Sequence, residues 1–221
     1  MGSDMGFLVP LLISLKVAAT ATAASLVLGV AGAFAIVRFS FPGKRVIEAL
    51  LTLPLVLPPT VLGYYLLVTA GRNGALGRWL EGGLGISLIF TWQGAAVAAA
   101  AVSLPLVLKS ARAAFEGVPK EFEQAARTLG KTEADVFFLV TLPLAWRGII
   151  AGAALAFARA MGEFGAALMV AGDMPGRTQT LSMAIYDAVQ SGDDRLGLTL
   201  VLITSAVCML LLVGSEKLLR A

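Results

Sequence analysis

The chain contains no histidine and a single cysteine, Cys208, which lies inside an apolar run. These absences remove disulfides, zinc-type clusters and any Ser-His or Cys-His nucleophile. Cys208 reads as a small lipid-facing or packing residue rather than a reactive thiol. Charge is scarce as well. Only 14% of the 221 residues are charged, where soluble domains carry about 25%. Strands of alternating apolar and polar residues are missing, which argues against a membrane β-barrel. What is present is apolar: 58% hydrophobic residues and a mean hydropathy of +0.86. The composition points to an all-α integral membrane protein, a single domain over residues 1–221.

The net charge of +3 does not indicate nucleic acid, because the basic residues gather at the ends of apolar segments. Five spans are expected, at residues 11–37, 48–69, 87–108, 148–171 and 197–215. Only Asp4 precedes the first, with no basic stretch, so it reads as a retained helix rather than a cleaved signal peptide. Pro10 suits its first turn, and Lys16 can snorkel to a headgroup. One set of connections holds Arg38, Lys44, Arg45, Lys109, Arg112, Lys120, Arg127, Lys131, Arg147, Lys217 and Arg220. The opposite set holds Arg72, Arg78, Arg177 and Arg195. Eleven against four puts the first set in the cytoplasm, the N-terminus outside and the C-terminus inside. The protein would then be a multi-pass resident of the cell inner membrane.

The cytoplasmic segment 109–147 is amphipathic rather than disordered. Pro119 sits where a first helical turn tolerates proline, and "KEFEQAARTL" holds strong helix formers that end at Gly130, a natural C-terminal cap. Thr132 offers an N-cap hydroxyl, with Asp135 three residues on to complete a capping box. Phe137, Phe138 and Leu139 make the second helix sticky, and Leu142-Pro143 is expected to stop it. The expectation is therefore two short helices hinged at a glycine. Gly130-Lys131-Thr132 also copies the end of a phosphate-binding loop. That loop needs a preceding strand and a glycine five residues earlier, where this chain has a helix and Ala125. The triplet is read as coincidence.

The spacing in "QAARTLGKTEADVFFLVTLP" resembles the cytoplasmic-loop signature of ABC importer permeases, E-A-A-x(3)-G-x(9)-I-x-L-P. Gln124, Ala125 and Ala126 fall on E-A-A, Gly130 on the glycine, Val140 on the isoleucine, and Leu142-Pro143 on the end. Gln124 and Val140 depart from the pattern, and Glu123 stands beside the neutral Gln124. "LPLVLPPTVLGYYLL" and "FARAMGEFGAALMVAGDMPGRTQTL" are similar to the molybdate branch of that family, for which tungstate is a near-identical cargo. The sulfate branch shares the R-x-x-G-E-aromatic-G pattern, but its second helix reads differently. The resemblance runs from Ser14 through Leu181.

It implies a type I ABC importer permease, non-catalytic in itself and binding no cofactor. ATP and Mg would belong to two separate cytoplasmic ATPase subunits. The coupling residues would be Glu123, Gln124, Ala125, Ala126, Arg127, Gly130, Leu142 and Pro143, with Glu123 and Arg127 as rim charges. An extracytoplasmic molybdate-binding protein would deliver the oxyanion. Five helices form a thin wall and the chain has one coupling segment, so two copies would pair as a homodimer around the pathway.

Two charges fall inside the fourth span: Arg159 and, one turn on, Glu163. Each costs about 2.5–3.5 kcal/mol at mid-bilayer, so both must face protein or water. They can neutralise each other, or they can line and gate a path for a dianion. Thr91 and Gln93 are further pathway candidates. Gly162 and Gly165 should let another helix approach, and Gly148, Gly152 and Ala156 form a stripe suited to helix packing. Pro54, Pro58 and Pro59 free carbonyls in the second span, which is expected to kink and face the protein interior. The loop "GDMPGRTQTLSMAIYDAVQSGDD" reads as solvated, with a short helix. A sulfate or thiosulfate permease is the alternative, then a proton-coupled transporter with Glu163 as its lone mid-membrane acid and no internal repeat. An intramembrane enzyme has few candidates without histidine or paired carboxylates, and an inert scaffold would give Arg159 no purpose beyond its partner.

Overall fold

Nothing interrupts the first apolar run after Pro10, and it folds as one helix, α1, over Leu8–Arg38. The computed structural model describes residues 7–85 and 87–220, so Asp4 lies outside the described part. Arg38 stands in the last turn of α1, where a cation complements the carbonyl end. Gly43, at φ +83°, turns the chain into α2, Lys44–Thr52.

The second span is not a straight helix. After α2 the backbone tightens into a 3-10 turn at Leu53–Leu55 and restarts as α3, Pro59–Ala70. The two arms meet at 111°. Pro54, Pro58 and Pro59 remove three N–H donors within six residues, and no kinked helix can absorb so many. Within the single chain one face of this span is packed, with Leu62, Gly63 and Ala70 buried, while Leu50, Val56, Tyr64, Tyr65 and Val68 are exposed.

A short helix, α4 (Ala75–Leu84), leads to α5, Trp92–Glu116. This helix starts later and runs further than the expected third span. Thr91 caps it by accepting the Gly94 N–H at 3.2 Å. The chain continues through α6 (Lys120–Thr128), α7 (Glu133–Val136), a π-helical turn at Phe137–Thr141 and α8 (Leu142–Met161). The predicted proline stop is absent. Pro143 cannot donate to the carbonyl one α-turn back, and the wider turn absorbs the misfit, with the Leu142 N–H reaching Phe137 O. Glu133–Met161 is thus one continuous rod long enough to cross a membrane.

The fourth span also breaks. Its helix ends at Met161 and resumes as α9, Gly165–Ala171. Then come α10 (Leu181–Gln190) and the long α11, Asp194–Arg220. No strand occurs among the described residues. Among the described residues four helices are long and apolar enough to span a bilayer, or five if the bent pair counts as one.

The core is where α5 packs between α1 and α8, and small residues set the spacing. A β-carbon on Gly148 would lie 2.6 Å from Ala114 Cβ, and one on Gly152 would lie 2.6 Å from Ser110 Cβ. Ala156 is fully buried, so the glycine–alanine stripe on α8 is used for packing as expected. Across α1 and α5 the buried hydroxyls of Ser25 and Ser103 meet at 3.0 Å. Lys16 lies over the Trp92 ring at 3.6 Å rather than reaching for a headgroup. Cys208 packs at the edge of the core cluster shared by α1, α5 and α10.

The segment read as a solvated loop is built in. Leu181, Met183, Ala184 and Ala188 of α10 are buried, and the Leu181 N–H donates to the buried Ser14 hydroxyl of α1 at 2.7 Å. The helical spacing of those apolar residues was present in the sequence, but its polar flanks masked it.

Candidate functional site

Two regions hold the residues singled out from sequence, and they lie toward opposite ends of α8. The first is the turn between α5 and α8. Helix α6 begins after Pro119 and ends in a full Schellman motif: Gly130, at φ +78°, donates to Arg127 O at 3.0 Å and Lys131 donates to Ala126 O at 3.2 Å. Thr132 then opens α7 with the expected capping box, its hydroxyl accepting the Asp135 N–H at 3.2 Å and the Asp135 carboxylate accepting the Thr132 N–H at 3.1 Å. The cap holds the Asp135 carboxyl below its usual range. The Gly-Lys-Thr triplet is thus a helix-to-helix turn.

One face of α6 is bare. Phe122, Ala125 and Leu129 follow at helical spacing, all exposed, with Leu129 at 80% and Gln124 beside them. Ala126 points the other way and is buried. An exposed apolar stripe on a short helix, among charged neighbours, suits a groove in another protein.

Glu123 and Arg127 do not stand on that face as rim charges. Arg127 Nε donates to Glu133 Oε1 at 2.8 Å and its Nη2 lies 3.2 Å from Glu123 Oε2. Arg38, from the end of α1, also pairs with Glu133. The Thr141 hydroxyl, buried in the π turn, donates to Glu123 Oε1 at 2.8 Å. The guanidinium of Arg127, with help from Arg38, holds the Glu133 carboxyl below its ordinary range. The carboxylates of Glu133 and Glu123 in turn push Arg127 upward. Beneath this network the rings of Phe34 and Phe137 sit 4.4 Å apart, each about 6.0 Å from Phe115. Arg38, Glu133, Thr141 and Phe34 were not singled out from sequence, since only the fold brings α1 to this turn. Leu142 and Pro143 belong to the first turn of α8 and support the turn from below.

The second region lies where the two broken spans cross. Gly63 of α3 packs on α9, with an added β-carbon only 2.7 Å from Met169 Cβ and 3.0 Å from Ala166 Cα. Gly165 packs on Pro59, whose Cβ would lie 3.0 Å from an added β-carbon. Gly162, in contrast, meets no neighbouring helix. Arg159 stands in the last turn of α8, and Glu163 falls in the break rather than on the same helix. They pair nonetheless, Nη1 to Oε2 at 2.9 Å. Glu163 Oε1 accepts the Ala166 N–H at 2.8 Å, which closes the first turn of α9.

Glu163 is 2% exposed and does not line an open path, whereas the Arg159 side chain is 32% exposed. The carboxylate is thus buried between Arg159 and the first turn of α9, while part of the Arg159 side chain is uncovered in the single chain. Thr91 serves as the α5 cap, and Gln93 is exposed in the first turn of that helix. No group of three or more Cys, Asp or Glu suited to a metal occurs among the described residues.

A family model described as "Binding-protein-dependent transport system inner membrane component" matches residues 25–220. The chain is 47% identical over 210 residues to the "Molybdenum transport system permease protein ModB" of Escherichia coli (strain K12), covering 95% of this chain and 92% of that one. It is 39% identical over 206 residues to the "Putative molybdenum transport system permease protein YvgM" of Bacillus subtilis (strain 168), covering 93% and 91%. To the "Sulfate transport system permease protein CysW" of Synechococcus elongatus it is 38% identical over 185 residues, covering 84% of this chain and 64% of that one. Among solved structures, a chain of the inward-facing "MetNI methionine ABC transporter" superposes with a TM-score of 0.77 at 16% identity, covering 100% and 98%. That likeness concerns the fold.

Proposed function

Because the chain belongs to the family of binding-protein-dependent transport system inner membrane components, we propose that it is the permease subunit of an ATP-driven importer carrying molybdate, or the near-identical tungstate, into the cell. One observation carries the cargo: 47% identity over 95% of the chain to a molybdenum permease. The chemistry is done elsewhere, by two ATPase subunits that seat the Phe122–Ala125–Leu129 stripe of α6. Glu123, Gln124, Ala125, Ala126, Arg127, Gly130, Leu142 and Pro143 shape and carry that contact. A molybdate-binding protein meets the opposite face, near α10. The basic residues around α6 support a cytoplasmic position for this end, with the N-terminus outside and the C-terminus inside the inner membrane.

A second copy of the chain completes the wall. The stretch Leu53–Pro58 has irregular backbone at membrane depth, and Val56 within it is 81% exposed. Such backbone is tolerated in a bilayer only against protein or a water-filled path. A two-fold partner supplies both, and it puts the paired bends on the shared axis with Arg159 of each copy nearby. Arg159 offsets the charge of the dianion, while Glu163 keeps the site from holding it too tightly.

The test is uptake by the full transporter, reconstituted in vesicles with its ATPase and binding protein. ATP-dependent accumulation of molybdate and tungstate over sulfate is expected. Preference for sulfate would move the chain to the sulfate branch, and proton-driven uptake by the chain alone would refute the ABC reading.

A further inference from the structure

We propose that Glu133 is the keystone of a polar bracket that forces α6 to move with the membrane helices α8 and α1, so that displacement of α6 by an ATPase becomes displacement of the span. This rests on the permease reading above and adds a residue that lies outside the α6 docking stripe.

Left to its covalent links, α6 is poorly held. It has nine residues, hangs between Gly117–Pro119 and Leu129–Thr132, and buries only Ala126. A push on its bare stripe would tilt such a helix about its two turns and leave the membrane rods in place. Four polar contacts prevent this. Arg127 reaches forward to Glu133 at 2.8 Å and back along α6 to Glu123 at 3.2 Å. Glu123 takes the Thr141 hydroxyl at 2.8 Å, which ties α6 to the π turn at the root of α8. Glu133 takes Arg38 as well, which ties the same group to the end of α1. Among the described residues, Glu133 alone accepts two arginines from different helices. The clustered rings of Phe34, Phe115 and Phe137 lock the rods to one another just beneath.

The energetics separate coupling from folding. The Glu133 side chain is 60% exposed, and exposed pairs contribute little to stability. A network of this kind fixes direction instead, since Arg127 is held by two carboxylates and Glu133 by two arginines. Losing Glu133 should therefore spare the fold and the docking stripe while letting α6 swing free.

The experiment uses the reconstituted transporter with ATPase and binding protein, and reads anion imported per ATP hydrolysed. Glu133→Gln, of equal size, should capture the ATPase as well as the parent does, yet the ratio should fall about fivefold because ATP is spent on swinging α6. Glu133→Asp, shorter but charged, should recover part of the loss. Arg38→Gln on top of Glu133→Gln should add little, since the tie of Arg38 to this turn runs through Glu133. An unchanged ratio in Glu133→Gln with the ATPase bound would overturn the proposal, and so would loss of ATPase capture, which would make Glu133 a docking residue. Failure of the parent chain to capture the ATPase would instead refute the permease reading itself.

Discussion

Replacement of Gly63 by alanine tests the crossing of the two broken spans. The added methyl carbon would stand 2.7 Å from Met169 Cβ and 3.0 Å from Ala166 Cα. Carbon atoms prefer about 3.5–4.0 Å, so α3 and α9 must part by roughly 1 Å. No rotamer relieves the clash, because both opposing atoms are fixed to the α9 backbone. Overpacking of this kind costs about 1–3 kcal/mol. Gly82 of α4 provides the control: it is helical, exposed and has nothing within 4 Å of an added β-carbon. There alanine should gain about 0.8–1 kcal/mol from helix propensity. Thermal unfolding of the detergent-purified chain should show Gly63→Ala melting below the parent and Gly82→Ala at or above it. Uptake by the reconstituted transporter should drop for Gly63→Ala alone. A Gly63→Ala chain as stable and as active as the parent would refute a tight α3–α9 crossing.

Gly130→Pro should abolish ATPase capture without loss of membrane insertion, because proline cannot reach φ +78° and removes the N–H given to Arg127 O; normal pulldown would count against α6 as the docking element. Arg159→Leu should cut uptake by about tenfold or more, and it leaves Glu163 buried without its counter-charge, so Arg159→Leu with Glu163→Gln should restore assembly but not transport; unchanged uptake in either variant would reduce the pair to ion-pair filler. Asp173, between α9 and α10, has its carboxyl pushed up by burial and by the neighbouring Asp187. A raised carboxyl destabilises the fold once ionised, so stability is lost as pH climbs from the ordinary carboxylate range through the raised value. Asp173→Asn should therefore raise the melting temperature by about 2 °C at pH 7, and the gain should vanish near pH 4; a gain that persists in acid would show that charge is not the cause.

Local chemistry made the α6–α7 turn legible in the sequence. Pro119, Gly130, Thr132 and Asp135 each act within a few residues, and the structure uses them as a helix start, a Schellman glycine and a capping box. The α8 stripe of Gly148, Gly152 and Ala156 was legible for the same reason, since its periodicity is carried on one helix. The breaks were harder to read. Three prolines announce a disturbance at Leu53–Pro59, but the 111° between the arms depends on where α3 finds α9 to pack against. In the fourth span no proline warns of the interruption at Gly162–Phe164. Only the unusual placing of Glu163 between two glycines hinted that a side chain would take over a cap. Pro143 misled, because the rule that proline ends a helix assumes an α-helical ladder, and a wider turn satisfies the geometry at lower cost. The i, i+4 pairing of Glu123 with Arg127 is local, but the reach of Arg38 from the end of α1 to Glu133, far away in the chain, could not be read at all.

The wide turn at Phe137–Thr141 has a consequence for register. One surplus residue before Leu142 advances every later position of that rod by about 100° around its axis, since a regular helix turns by that much per residue. Excise a single residue there and the groove-filling glycines of the rod would face away from α5, while the Arg159 guanidinium would aim at a different neighbour. A local concession to one imino acid thereby sets the compass bearing of charges some thirty ångströms along the same rod.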